Sequence, residues 1–273
     1  MKEMTSLQEV QKQFIDQRPN ALLQNHRMQA FQKFISEGWP NSKSEQWKYV
    51  DTRSLSEQPY QLAPVYNERD AGRLWENFLQ EMGDLENTLV FFNGTLQGQY
   101  LGTELKKHVY FFRDFENWDS FAVSIFKGLL LESHKRADAL HSLNEAFLAE
   151  GCFIHIPSGV LDDLTLNLVS FVDSKSVDKP FMLHPRVLIH LAENSKLSLR
   201  QIQQGFSGEY FENFVVDVKV GSGAELDYVL AQQAGTRGRS VSQSSFWISE
   251  GGKVKAFTVS KGSLLTRTQI NLY

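Results

Sequence analysis

One short pattern recurs three times between residues 186 and 272, and it constrains the fold more than any other feature. Its copies are Leu191-Ala192-Glu193-Asn194-Ser195-Lys196-Leu197, Val220-Gly221-Ser222-Gly223-Ala224-Glu225-Leu226 and Ile248-Ser249-Glu250-Gly251-Gly252-Lys253-Val254. Leu191, Val220 and Ile248 are spaced by 29 and then 28 residues. Each copy reads as a strand end, a tight turn of small and polar residues, and a strand start. Gly and Asn suit such turns because they tolerate positive φ at little steric cost. A fixed period of this length points to a solenoid, in which each lap buries its face on a neighbour.

The flanking residues alternate with period 2. Val187, Ile189 and Leu191 alternate with Leu188 and His190; Phe214, Val216, Val218 and Val220 with Val215, Asp217 and Lys219; Leu226, Tyr228 and Leu230 with Asp227, Val229 and Ala231. Alternation sends one set inward and one outward. Strands near 186–192, 213–220 and 241–249 should stack in one sheet, and strands near 196–204, 224–232 and 253–260 in a second. The expected core is a flattened, two-sheet parallel β-helix. An antiparallel β-sandwich is the alternative, since it too spaces strands and turns regularly.

The N-terminal half reads differently. Thr5 with Gln8 offers a capping box for a first helix, and Asn20 can cap a second carrying Leu22, Leu23, Met28, Phe31 and Phe34 that Gly38 and Pro40 stop. Residues 39–60 hold an aromatic cluster amid charges, read as a local packing knot. Residues 67–83 suggest a third helix, and Leu89 to Phe92 meets the hairpin signal Asn93-Gly94. His108 to Phe112 is a short strand; residues 115–150 are helix-rich, ending at Gly151. The fold class expected is therefore α+β. A mostly helical domain with a short hairpin spans 1–150, and a β-helix core spans 151–273. The chain stops within the strand Leu264 to Tyr273, with no cap, so a truncated core and a homodimer through the β-helix edge are both expected.

Bulk properties exclude several classes. The 273 residues carry a net charge of −4, which argues against nucleic acid and anionic membranes as partners. No apolar run is long enough to span a bilayer, and Met1 to Ile15 does not follow a signal-peptide pattern. Cys152 is the only cysteine, so a cytoplasmic location without disulfides is expected. Nucleotide and hydrolase motifs are missing: there is no G-x-x-x-x-G-K-[ST], no G-x-S-x-G and no H-E-x-x-H. Gly221-Ser222-Gly223 belongs to the solenoid turn. Cys152 and His155 are weak metal candidates, because positions i and i+3 of a strand face opposite sides. His184 and His190 fall too far apart along a strand to share an ion, and Asp162 and Asp163 pair with nothing that calls for acid–base work. No catalytic, cofactor-binding or metal-binding residue is assigned, and the protein is not expected to be an enzyme.

One combination resembles a known family. Pro40, Lys43, Glu45, Trp47, Lys48 and Tyr49, following two amphipathic helices, look like the N-terminal signature of SufD, a subunit of the SUF iron–sulfur cluster assembly machinery in the SufB/SufD family. Leu143-Asn144-x-Ala146-Phe147, Pro185 to Ile189, Asn213, Gln232-Gln233 and Leu265-Thr266-Arg267 recur in comparable order. The resemblance implies a helical N-terminal domain and a right-handed parallel β-helix. It also implies pairing with a SufB-like paralogue and, through a C-terminal region beyond Tyr273, with a SufC-like ATPase. The iron–sulfur cluster would be held at the level of the complex, with no cofactor bound by this segment. A SufB-like scaffold that holds the nascent cluster is the alternative, and a β-helix carbohydrate-active enzyme a more distant one.

Overall fold

The computed structural model describes residues 2–17, 20–63, 80, 86–159, 164–174, 179–206 and 208–273. The helix expected at 67–83 and the pair Asp162 and Asp163 lie outside the described residues.

Helix α1 covers Lys2–Gln17 and α2 covers Ala21–Glu37. The Asn20 side-chain oxygen accepts the Leu23 N–H at 3.1 Å, as its position predicts, and Gly38 at φ 75° closes α2. Because α1 starts at Lys2, Thr5 lies within the helix rather than ahead of it. Next come α3 (Arg53–Ser56), β1 (Gln61–Leu62), the hairpin β2 (Thr88–Phe92) and β3 (Thr95–Tyr100), α4 (Thr103–Lys106) and β4 (Val109–Phe111). The hairpin turn is Asn93-Gly94, both at positive φ. The helix-rich stretch resolves into α5 (Ser120–Arg136) and α6 (Ala139–Ala146), capped by Asp119 and Asp138 through the N–H groups of Ala122 and His141. Gly151 is not a helix stop. It opens the first solenoid strand, five residues past the end of α6.

The strands that follow are β5 (Gly151–Ile156), β6 (Leu164–Val172), β7 (Phe181–Leu183), β8 (Arg186–Leu191), β9 (Lys196–Gly205), β10 (Tyr210–Val220), β11 (Glu225–Gln233), β12 (Arg239–Ile248), β13 (Lys253–Lys261) and β14 (Leu265–Leu272). They wind into a parallel solenoid of about four laps. One sheet runs β5, β8, β10, β12, β14, and the other β6, β9, β11, β13. The register follows the repeat: Val187 pairs with Val216 and Val216 with Ser244, while Lys196 pairs with Glu225 and Glu225 with Lys253. This parallel ladder excludes the antiparallel sandwich. Strands from before residue 150 complete both sheets at their first laps. Antiparallel β4 adds to β5, β2 lies parallel to β6 with antiparallel β3 beyond it, and β1 joins β7.

The turn ladder explains the repeat chemically. Asn194, Gly223 and Gly251 stack with φ of 58°, 67° and 69°. The Asn194 N–H donates to the Ser222 carbonyl and the Gly223 N–H to the Glu250 carbonyl, so each turn is hydrogen-bonded to the next. Gly159, at φ 64°, holds the equivalent place one lap earlier.

Inside, the solenoid has two regions. Near the turn ladder it is apolar, packed with Ile154, Val187, Ile189, Leu199, Phe214, Val216, Val218 and Leu226. Near the opposite connections, the inward residues of β12 are Ser240, Ser242 and Ser244, and a buried polar seam replaces the oil. The Glu212 carboxylate accepts from Ser170 at 2.6 Å and from Ser240 at 3.1 Å; Gln232 donates to Ser240 at 2.7 Å; the Tyr228 hydroxyl reaches Gln201 and Ser244. Burial pushes the Glu212 carboxyl above its ordinary range, against the pull of these donors. The unfolded chain therefore releases this proton at lower pH than the folded one, and stability falls as pH rises through that interval. Glu212→Gln keeps the shape and removes the ionisation. It is expected to be more stable than the parent at pH 7, with the gap narrowing toward pH 4. Urea midpoints at both pH values check this, and a less stable variant at pH 7 would refute it.

Candidate functional site

The helices α2, α5 and α6 lie on the outer face of the β8–β10 sheet, and the site forms where they meet it. Alternation on β8 sends Val187 and Ile189 into the solenoid, leaving Arg186 and Leu188 toward the helices. On β10 it sends Val216 and Val218 inward and turns Asp217 out. Leu188, Phe153, Phe126 and Leu129 form an apolar cluster on this helix-facing side, and a charged centre lies on the same face.

Arg186, Asp217 and Glu145 are each fully buried there. Arg186 Nη2 lies 2.5 Å from Asp217 Oδ2, 2.7 Å from Ser133 Oγ, 2.9 Å from His141 Nε2 and 3.4 Å from Glu145 Oε1, while Nη1 donates to Asn144 Oδ1 at 3.2 Å. Ser133 also donates to Asp217 at 2.9 Å. Helix geometry assembles this set: His141 and Glu145 are one turn apart on α6, so they share a face. Glu145 has two sides. Oε1 faces Arg186, and Oε2 faces His134 Nδ1 at 2.5 Å and His26 Nε2 at 3.4 Å. Burial alone would raise the Glu145 carboxyl, but the hydrogen bond from His134, the nearby His26 imidazole and the charge of Arg186 outweigh it and hold the group well below the usual carboxylate range. Burial pushes His141 down and leaves it neutral, against the attraction of Asp217.

The residues singled out by sequence lie elsewhere. Cys152 points into the solenoid core with Ile154, and burial pushes its thiol up, so it is no thiolate at neutral pH. His155 points the other way and stacks on His190, ring centres 5.1 Å apart and Nδ1 atoms 2.9 Å apart. Burial, then His155 and Lys219, pushes His190 down to about 4. Cys152 and His155 do not converge.

The signature block divides into two parts. Pro40 and Trp47 are buried, whereas Lys43, Glu45, Lys48 and Tyr49 are exposed, Tyr49 at 90%. The Arg267 guanidinium lies over the Trp47 ring at 4.2 Å, and Trp39 packs on Phe34, Tyr60 and Phe211. The aromatic half of the block thus fastens the N-terminal helices to β10 and β14.

His184 sits in the same seam, stacked on Phe147 at 4.9 Å with Nδ1 3.3 Å from Asn213 Nδ2. Burial pushes this imidazole down to about 3. Between about pH 6.5 and 3 the unfolded chain takes up a proton that the folded chain refuses, so acid destabilises the fold. The slope approaches about 1.4 kcal/mol per pH unit for this group. His184→Gln is expected to flatten the melting temperature between pH 6.5 and 4.5; an unchanged slope would remove His184 from the account.

No sequence reading found the Arg186–Asp217–Glu145 centre. Two signals were present: a charged residue at each of two otherwise apolar strand positions facing the helices, and a His and Glu spaced by four on α6.

Among the described residues, no helix is long and apolar enough to cross a membrane. No curated protein matches the chain significantly. Two family models do match, consecutively. The SufBD protein N-terminal region covers residues 1–168, and the SUF system FeS cluster assembly, SufBD core domain, covers residues 172–273. The first takes in the helices, the hairpin and the opening solenoid strands; the second takes in the laps that carry the repeat. With the matches in that order and nearly continuous, the chain belongs to the SufB/SufD family of iron–sulfur cluster assembly proteins.

Proposed function

We propose that the protein is a SufD-type subunit of the SUF assembly complex, a non-enzymatic partner of a SufB-like scaffold and a SufC-like ATPase. The observation that carries this reading is the pair of family matches, N-terminal region followed by core, across one chain. The core-domain description, SUF system FeS cluster assembly, supports a component of iron–sulfur cluster assembly within a multi-subunit complex. The Glu45-x-Trp47-Lys48-Tyr49 block favours the SufD type, and the missing P-loop motif favours a partner as the source of ATP hydrolysis. In this role the subunit supports iron acquisition and completes the interface on which the cluster, the cargo of the complex, is built. The location is the cytoplasm.

The test is co-expression of the complete gene product with SufB-like and SufC-like partners, read by copurification and by iron and sulfide content. The expected result is one stable complex in which cluster retention needs the partners. A chain that retains stoichiometric iron and sulfide alone would instead be the scaffold paralogue. A chain that binds neither partner would end the assembly role.

A further inference from the structure

The geometry points to a divalent transition-metal site at His26, His134 and Glu145, where α2, α5 and α6 converge on the solenoid. His26 Nε2, His134 Nδ1 and a Glu145 carboxylate oxygen all lie within 4.8 Å of one another. They come from three separate helices, so the cluster exists only in the docked fold. Two imidazoles and one carboxylate form a donor set suited to Zn²⁺, Fe²⁺ or Co²⁺, with the remaining positions taken by water.

Three further observations favour an ion. First, the distances are close to those required. Metal–ligand bonds of about 2.0–2.1 Å place neighbouring donors of a tetrahedral ion about 3.3 Å apart. His26 Nε2 and Glu145 Oε2 are already 3.4 Å apart. His134 Nδ1, at 2.5 Å from the same oxygen, must move back by roughly 0.8 Å to admit the ion. Its side chain is 24% exposed in the last turn of α5, which leaves room for that shift. Second, the carboxylate is oriented from behind: Oε1 faces Arg186 at 3.4 Å, so Oε2 is aimed at the two imidazoles. Third, the buried His26 Nε2 makes no hydrogen bond with good geometry, although it points toward the carboxylate. Glu145 is wholly buried while His26 keeps 19% exposure, so the site has a closed floor and an aqueous side by which an ion can arrive.

The chemistry of loading is simple. The ion accepts lone pairs from two neutral imidazoles and one carboxylate, and the hydrogen between His134 Nδ1 and Glu145 leaves Nδ1, passing to solvent from an imidazolium or moving to Nε2 in a neutral ring. No redox step is involved. The site is independent of the assembly role, and the ion it holds is separate from the cluster cargo.

The experiment uses the full chain after chelator treatment, dialysed against Zn²⁺ or Co²⁺ alone, with metal content by elemental analysis and the Co²⁺ visible spectrum as a second readout. The expected result is one ion per chain at micromolar levels, with the intense absorption of a low-coordinate nitrogen–oxygen site. His26→Gln and His134→Gln should each weaken binding by at least about tenfold. Glu145→Gln, which keeps side-chain shape, should do the same, with circular dichroism confirming the fold. His155→Gln, on the separate His155–His190 pair, should leave binding unchanged. No binding below millimolar metal, undiminished binding in His134→Gln, or loss in His155→Gln would each overturn the site. Assembly with SUF partners is scored separately, so failure of one reading leaves the other intact.

Discussion

Arg186→Ala is expected to destabilise the protein by about 3–5 kcal/mol, enough to leave little folded chain in a marginal domain. The guanidinium is fully buried and stands between Asp217 and Glu145, which are fully buried too. Removing it leaves two fully buried carboxylates without the cation that stands between them. An uncompensated buried charge costs far more than the ion pair itself contributes. Two controls give the prediction its edge. Arg186→Lys retains a charge but loses the fork that reaches Asp217, Ser133 and Asn144 together, so it should recover only part of the loss. Arg186→Met combined with Asp217→Leu and Glu145→Gln should be milder than Arg186→Ala, because no charge is stranded. Chemical denaturation of the four proteins decides the matter, and a loss below about 1 kcal/mol for Arg186→Ala would mean that water reaches the centre.

Gly151→Ala should cost a similar amount, about 3–5 kcal/mol, by a purely steric route. A Cβ at this position would stand 1.8 Å from the Arg186 carbonyl oxygen and 3.1 Å from the Phe112 ring, on a backbone with φ of 137°. The contact is backbone against backbone, so no rotamer change relieves it. The β5 strand would have to separate from β8 at its first pair, Gly151 with Arg186. Gly251→Ala supplies the contrast. Its φ is 69°, but the nearest heavy atom to the added Cβ is 3.7 Å away. It should cost about 1–2 kcal/mol, the left-handed penalty alone. Equal losses at the two sites would show that close approach at Gly151 is not what selects glycine there.

These two positions mark where sequence reading succeeds and where it stops. The later laps were legible because inside and outside alternate along β8, β10 and β11, and because each turn must supply a residue tolerant of positive φ. Asn194, Gly223 and Gly251 therefore announce the period. The earlier laps carry longer connections: Gly151 pairs with Arg186 and Leu164 with Leu197, intervals longer than the repeat. The solenoid place of Gly159 is hidden for that reason. The partnership of β2 with β6 joins Thr88 to Asn167, and no local pattern encodes so distant a neighbour. Gly151 was misread as a helix stop because glycine serves both tasks, and only the approach of Arg186 distinguishes them. The charged centre draws on α2, α5, α6, β8 and β10, so it appears only after helices dock on the sheet. The Trp47 block could be recognised as a signature, but its role in fastening α2 to the solenoid depends on Arg267, far along the chain.

The stacked laps also determine how the molecule should yield to force. Each later lap is hydrogen-bonded to the laps beside it in the stack, residue to residue at an interval of 28 for β10 with β12 and β11 with β13. A pull applied along the stack at Tyr273 should therefore unzip the later windings singly, each releasing about 95 Å of slack chain. The windings nearer the start are bolted to three helices through Arg186, Asp217 and Glu145. A tether that pays out in small even increments and then holds until a single large rupture would be the mechanical signature of this architecture.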